Sequence, residues 1–217
     1  MAEPIWHTGP LPRDLCVGSG AFVWVIRLDD PAIATVAQQA PLRAGDLGDL
    51  AQRPQAGMRG LRRQLSKLLL ARAAATHPDH VAIERRKGGA LRVAAPEGWH
   101  ISVAGHWPHA AIAIARGAVG VDIEPASALP PLRDALTIGE RRDLRGATDG
   151  DVVRRWTAKE AHAKALGVAA QIDPAHIHTS RAGDHVQAMS REGRTLCHLA
   201  MIGDVCGAVA QPAPWHS

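Results

Sequence analysis

The sequence predicts an α+β protein, with a cluster of short strands in each half and a long helix packed on each cluster. Continuous β-branched and aromatic runs such as residues 20–28 (GAFVWVIRL) suit buried strands. Leu61, Leu65, Leu68, Leu69 and Ala73 recur at helical spacing. A chain of 217 residues, 46% of them hydrophobic, is long enough for one large domain or two subdomains of about 100 residues each.

Taken in order, 20–28 is the first strand. Residues 45–55 read as a loop followed by a helix start. Residues 58–75 form an amphipathic helix with an Arg-rich outer face. Arg85 to Gly89 (RRKGG) is a basic turn. Residues 99–103 and 110–114 are strands separated by a turn at 105–108, and 119–123 is a third strand. The loop 125–131 (PASALPP) is the expected seam, giving subdomains 1–117 and 118–217. Residues 138–144 form a short helix. Residues 151–166 form a longer one, with Asp149 or Asp151 as N-cap and Gly167 as the stop. Strands at 175–180, 185–190, 195–200 and 203–210 complete the second half.

Lys and Arg number 25 against 21 Asp and Glu, a net charge of +4. That balance favours anionic partners, whether a phosphorylated cofactor, an acidic protein or nucleic acid, without choosing among them. Cys16, Cys197 and Cys206 form no CxxC pair and are odd in number. They read as small buried apolar residues in a reducing cytoplasm. No stretch reaches membrane-span length, and the opening MAEPIWHTGPLPRDL lacks the basic start and apolar run of a signal peptide. A cytoplasmic protein with no membrane partner is expected.

Two motifs carry chemistry. In Gly120-Val121-Asp122-Ile123-Glu124, alternation along a strand puts Asp122 and Glu124 on one face and Val121 and Ile123 on the other, toward the core. Two carboxylates at a buried strand end repel unless a cation sits between them, and a hard divalent ion with oxygen ligands answers that. A solvated strand edge is the plain alternative. In Trp156-Thr157-Ala158-Lys159-Glu160-Ala161-His162-Ala163-Lys164, positions four apart share a helix face, so Trp156, Glu160 and Lys164 form a stripe. Glu160 can add a third carboxylate, and Lys164 can reach a phosphate held by the metal. An exposed Glu–Lys pair is the competing account.

Together, G-[VI]-D-[IV]-E followed by W-x-x-K-E-x-x-x-K resembles the signature of the 4′-phosphopantetheinyl transferase superfamily. The likeness extends to the helix at 59–75, the turn Lys87-Gly88-Gly89-Ala90-Leu91, the segment Thr137-Ile138-Gly139-Glu140-Arg141 and the closing strand 203–210. Length points to the monomeric, surfactin-synthetase-activating type rather than the short trimeric one. The fold implied is two similar α+β halves packed with pseudo-twofold symmetry.

What the resemblance implies is transfer of the 4′-phosphopantetheine arm of coenzyme A to a serine of an acyl or peptidyl carrier protein, releasing adenosine 3′,5′-bisphosphate. Mg²⁺, with Mn²⁺ as the other option, would be held by Asp122, Glu124 and Glu160. Lys164 and Lys159 would meet phosphate oxygens, and Arg59 and Lys87 would lie near the adenosine 3′-phosphate. Glu160, Glu140 or a metal-bound water would take the serine proton. The family's Ser-His-Ser turn is altered here: the stretch reads Ser102-Val103-Ala104-Gly105-His106-Trp107, with Gly105 at the His position and His106 one residue later. His106 would bind a coenzyme A phosphate after a one-residue adjustment, or else be a loop residue. Trp99 and Trp107 are candidates for adenine stacking or for core. The His176–His178 and His77–His80 pairs read as surface histidines rather than zinc ligands.

Two further hypotheses remain at this level. One is a weakened homologue that binds coenzyme A or carrier protein without efficient turnover. The other is a nucleic-acid module built on the Arg-rich helix, against which stands the lack of interleaved aromatics; nucleic acid is therefore not an expected partner. The carrier surface is expected between Pro125 and Asp151, apolar with basic neighbours.

Overall fold

A computed structural model describes residues 2–13, 15–51, 54–86, 88–131 and 133–213. In chain order they form strands β1 (Ile5–Thr8) and β2 (Phe22–Arg27), helices α1 (Pro31–Ala37), α2 (Ala44–Ala51) and α3 (Ala56–Ala73), and strands β3 (Ala82–Arg85), β4 (Leu91–Ala95), β5 (His100–His106), β6 (His109–Ala115) and β7 (Gly120–Pro125). Helices α4 (Ile138–Asp143) and α5 (Asp149–Ala165) follow, then β8 (His178–Ala182), β9 (His185–Ser190), β10 (Gly193–Ile202) and β11 (Val205–Pro212). The architecture is α+β, as the sequence predicts.

One sheet has the order β1-β2-β6-β5, with β1 parallel to β2 and the other pairs antiparallel. A second, wholly antiparallel sheet runs β7-β11-β10-β9-β8, and β3 and β4 form a separate hairpin. From β2 onward each half runs strand, long helix, four strands, with the last strand of the half paired to the first. The two main sheets meet edge to edge: the Val121 N–H, on β7, donates 3.0 Å to Ser102 Oγ on β5.

Three cores follow from strand alternation. Phe22, Trp24 and Ile26 face Leu65, Leu68 and Leu69 of α3. Val23 and Val25, one position out of phase, join Ala111, Ala113 and Ala115 against Val121, Ile123 and Val209 of the second sheet. Ala158, Ala161 and Ala165 of α5 pack on Ala188, Cys197, Ala208 and Ala210. Small residues dominate this last core, so the helix lies close to its sheet.

Several expectations need correction. The N-cap of α5 is Thr148; Asp151 is its N3 partner in a reciprocal capping box. Gly167 does follow the helix, at φ +73°, where glycine alone is unstrained. Cys16 is exposed rather than buried. The outer face of α3 is not simply solvated: Arg63 and Lys67 are buried, because α2 brings Asp46 to both and Asp49 to Arg63. No described helix is long and apolar enough to cross a membrane.

Candidate active site

Strand β7 carries Asp122 and Glu124 on the face toward α5, while Val121 and Ile123 enter the core between the sheets. What sets the two elements so close is Gly120. A Cβ there would collide with backbone atoms of Ala161 and Ala165. The helix therefore crosses directly over the strand, and the Trp156–Glu160–Lys164 stripe lies above the acidic pair.

The contacts are specific. Lys164 Nζ donates to Asp122 Oδ1 at 2.6 Å, and Trp156 Nε1 donates to Glu124 Oε1 at 3.2 Å. His106 Nδ1 lies 3.2 Å from Glu124 Oε2. The other Asp122 oxygen, Oδ2, is buried with no hydrogen-bond partner. Burial pushes the Asp122 carboxyl up to about 7; Lys164 draws it down, and Glu160 and Glu124 push it further up. Burial also raises Glu160, against the pull of Lys164 and with the help of Glu124. Asp122, Glu124, Glu160 and Lys164 thus share one electrostatic neighbourhood. As they stand, no three or more His, Cys, Asp or Glu side chains among the described residues form a group able to hold a metal. Asp122, Glu124 and Glu160 are oxygen donors of the chemical kind a hard cation takes, and Asp122 keeps one buried oxygen without a partner.

Beside this cluster opens a cleft of about 300 Å³ between α3, the β3–β4 hairpin, β5 and the end of α5. Arg59, Arg62, Arg63, Arg85 and Lys164 line it. Arg63 and Arg85 are bound to Asp49 at 2.7 Å and 3.0 Å. Among the described residues, Arg59 and Arg62 hydrogen-bond to backbone oxygens alone, of Pro54 at 3.0 Å and Met58 at 3.4 Å.

The structure sorts the expected site residues. Asp122, Glu124, Glu160 and Lys164 converge, Arg59 lines the cleft, and His106 sits at the Glu124 edge. Lys87 lies outside the described residues. Lys159 does not reach the site. It is fully buried on the opposite face of α5, and its three donors go to Glu140 Oε2 at 2.6 Å and to the carbonyls of Ala135 and Pro174 at 2.9 Å each. No donor is left for a phosphate. Glu140 is equally unsuited as a base: it is fully buried and accepts from Lys159, the backbone of Thr137 and both donors of Thr179. Trp99 is core, with Arg116 stacked on its ring, whereas Trp107 is exposed at the β5–β6 turn.

Residues 118–209 match the family model of the 4′-phosphopantetheinyl transferase superfamily. That stretch is similar to this superfamily. The matched stretch runs from before β7 into β11, so it contains all three carboxylates and Lys164, while Arg59, Arg62 and His106 lie outside it. No curated protein matches the chain. Transfer of phosphopantetheine is the activity of this superfamily.

Arg62, Arg63 and Arg85 are cleft residues that sequence reasoning missed. For Arg63 alone a faint signal was present: Asp46 and Asp49, three apart, match Arg63 and Lys67, four apart, on the facing helix.

Proposed function

We propose that the protein transfers the 4′-phosphopantetheine group of coenzyme A to a serine of an acyl or peptidyl carrier protein. The supporting observation is the adjacency of two opposite fields: a cleft lined by arginines and Lys164, and, bonded to that lysine, Asp122 with a buried, unpartnered oxygen. A long polyanion such as coenzyme A fits the first, and a divalent cation fits the second.

In this reading the nucleotide end lies in the basic cleft, and Lys164 leaves Asp122 for a diphosphate oxygen. Lys164 suits the role as a compact point charge on a flexible stem. Asp122, Glu124 and Glu160 would hold Mg²⁺, or Mn²⁺, whose chemistry there would be neutralisation of charge on the diphosphate. The serine oxygen forms a bond to the β-phosphorus, the bond from that phosphorus to the bridging oxygen breaks, and adenosine 3′,5′-bisphosphate leaves. Glu160, raised by burial and beside the reacting groups, takes the serine proton. Trp156 holds one oxygen of Glu124 in place. As in other phosphoryl transfers, the chain mainly positions groups and offsets charge.

The carrier partner is acidic in this reading. Between β7 and α5, Leu129 is 90% and Ile138 66% exposed, among exposed Arg133, Arg141 and Arg142. Exposed apolar side chains and arginines in one segment suit an acidic partner. Both walls of the cleft come from one chain, so the transferase acts as a monomer of the two-halved type. The nucleic-acid hypothesis loses its motive, since α3 turns Arg63 and Lys67 inward onto Asp46.

The test is mass. Apo carrier proteins of both classes, incubated with the protein, coenzyme A and Mg²⁺, gain one phosphopantetheine group. Coenzyme A binding with no mass gain on any carrier would instead establish the weakened homologue, for which the displaced His106 at Glu124 is the motive.

A further inference from the structure

Arg62 stands apart from the other cations of the cleft. Arg63 and Arg85 are neutralised by Asp49, and Lys164 is paired with Asp122. Neither Arg59 nor Arg62 has a carboxylate within ion-pair distance among the described residues, and each keeps one backbone contact through Nε. Burial lowers the Arg62 pKa, and Arg59 lowers it further. A half-buried guanidinium beside a like charge is a vacancy for an anion.

Position narrows the anion. Arg62 lines the 300 Å³ cleft and also an adjoining space of about 310 Å³ walled by Gly105, His106, Trp107 and His109. Its guanidinium occupies the place where a side chain at residue 105 would begin: a Cβ on Gly105 would collide with Nη1. The next residue, His106, touches Glu124. Arg62 is therefore at the carboxylate end of the basic cleft, whereas Arg59, one turn earlier on α3, is tied back toward Pro54.

We infer that Arg62 is a binding residue for the diphosphate of the co-substrate, separate from Arg59, which the resemblance already places near the terminal monophosphate. The glycine at 105 is what admits the guanidinium. This assignment rests on the coenzyme A reading above.

Calorimetric titration with coenzyme A and with 3′-dephospho-coenzyme A, at fixed Mg²⁺, separates the two roles. Arg62→Gln weakens both ligands by the same factor, roughly tenfold or more for a lost bond to a charged group. Arg59→Gln weakens coenzyme A alone. Gly105→Ala, which displaces the guanidinium and leaves its charge, weakens both ligands as Arg62→Gln does. Thermal unfolding of each variant is measured alongside. Wild-type affinity in a folded Arg62→Gln, or a loss confined to coenzyme A, overturns the assignment. Should Arg62→Gln not fold, Gly105→Ala decides: unchanged affinity for both ligands overturns it. If the wild-type protein binds neither ligand, it is the coenzyme A reading that fails.

Discussion

Lys164 Nζ and Asp122 Oδ1 lie 2.6 Å apart, joining the last turn of one helix to the middle of a strand 42 residues earlier. The pair occupies an oxygen that the proposed cation needs, so cation and anion binding are coupled through one side chain. Lys164→Ala frees the carboxylate and removes the phosphate donor. The loss of such a charged hydrogen bond costs about 1.5–3 kcal/mol, roughly ten- to a hundredfold in coenzyme A affinity. Fluorescence titration of coenzyme A checks this, and an unchanged dissociation constant removes Lys164 from the site.

Asp122→Ala and Glu160→Ala are expected to abolish divalent-dependent transfer while leaving circular dichroism and the unfolding midpoint near those of the parent. Chelation abolishes the parent's transfer, and added Mg²⁺ restores it. Parental rates in either variant would refute the carboxylate assignment.

Gly120→Ala is expected to be among the most damaging single substitutions. Its methyl would meet main-chain atoms of α5, which cannot step aside as a side chain can. Overpacking costs about 1–3 kcal/mol when side chains can yield, and this site lies at the upper end or beyond. Gly117→Ala, where a Cβ meets nothing within 4 Å, is the control and is near neutral. Equal midpoints for the two in denaturant titration would contradict the close strand–helix approach.

Lys159→Met is expected to lower stability without changing coenzyme A affinity. It leaves Glu140 as an unpaired buried charge, a loss of about 3–5 kcal/mol. Burial opposes ionisation of Glu140, yet its bonds from Lys159, Thr179 and Thr137 prevail and hold it below the usual range. Its stabilising contribution is therefore present above the unfolded-state pKa and lost as pH falls through the depressed folded value. A variant that folds like the parent but binds coenzyme A weakly would restore the phosphate role denied above.

His162 gives a second pH signature. It is fully buried between the hydroxyls of Thr195 and Ser190, and burial drives its pKa from 6.5 to about 4. The unfolded chain binds the proton first as pH falls. The contribution is thus complete above about 6.5 and lost between there and about 4, at no more than about 1.4 kcal/mol per pH unit. Measured against His162→Gln, the parent loses stability across that window. Parallel curves would mean that the ring is protonated in the native state.

Much of this was legible in the chain. Alternation in Gly120-Val121-Asp122-Ile123-Glu124 fixed which side chains enter the core, and four-residue spacing fixed the Trp156–Glu160–Lys164 stripe. Both are local periodicities of strand and helix. Lys159 shows the limit. Adjacent helical residues diverge by about 100°, so a lysine beside Glu160 in sequence faces another layer, and which layer depends on where Glu140, Ala135 and Pro174 arrive. The burial of Arg63 and Lys67 likewise depends on α2, a short helix rich in Gly and Ala whose pattern is weak. The β3–β4 hairpin escaped notice because its strands are four and five residues long and only partly apolar.

The strand β6 turns Ala111, Ala113 and Ala115 toward the other half, after His109 at its start, which reaches Asp204 at 3.3 Å. Methyl-sized side chains let the two sheets approach, and the basic cleft takes lining residues from both sides of that join, Ser102 on β5 and Lys164 on α5. Its width thereby depends on three alanines that carry no charge themselves. A lineage could widen or narrow the opening by trading single methyls there, retuning affinity while every acid, lysine and arginine stays in place.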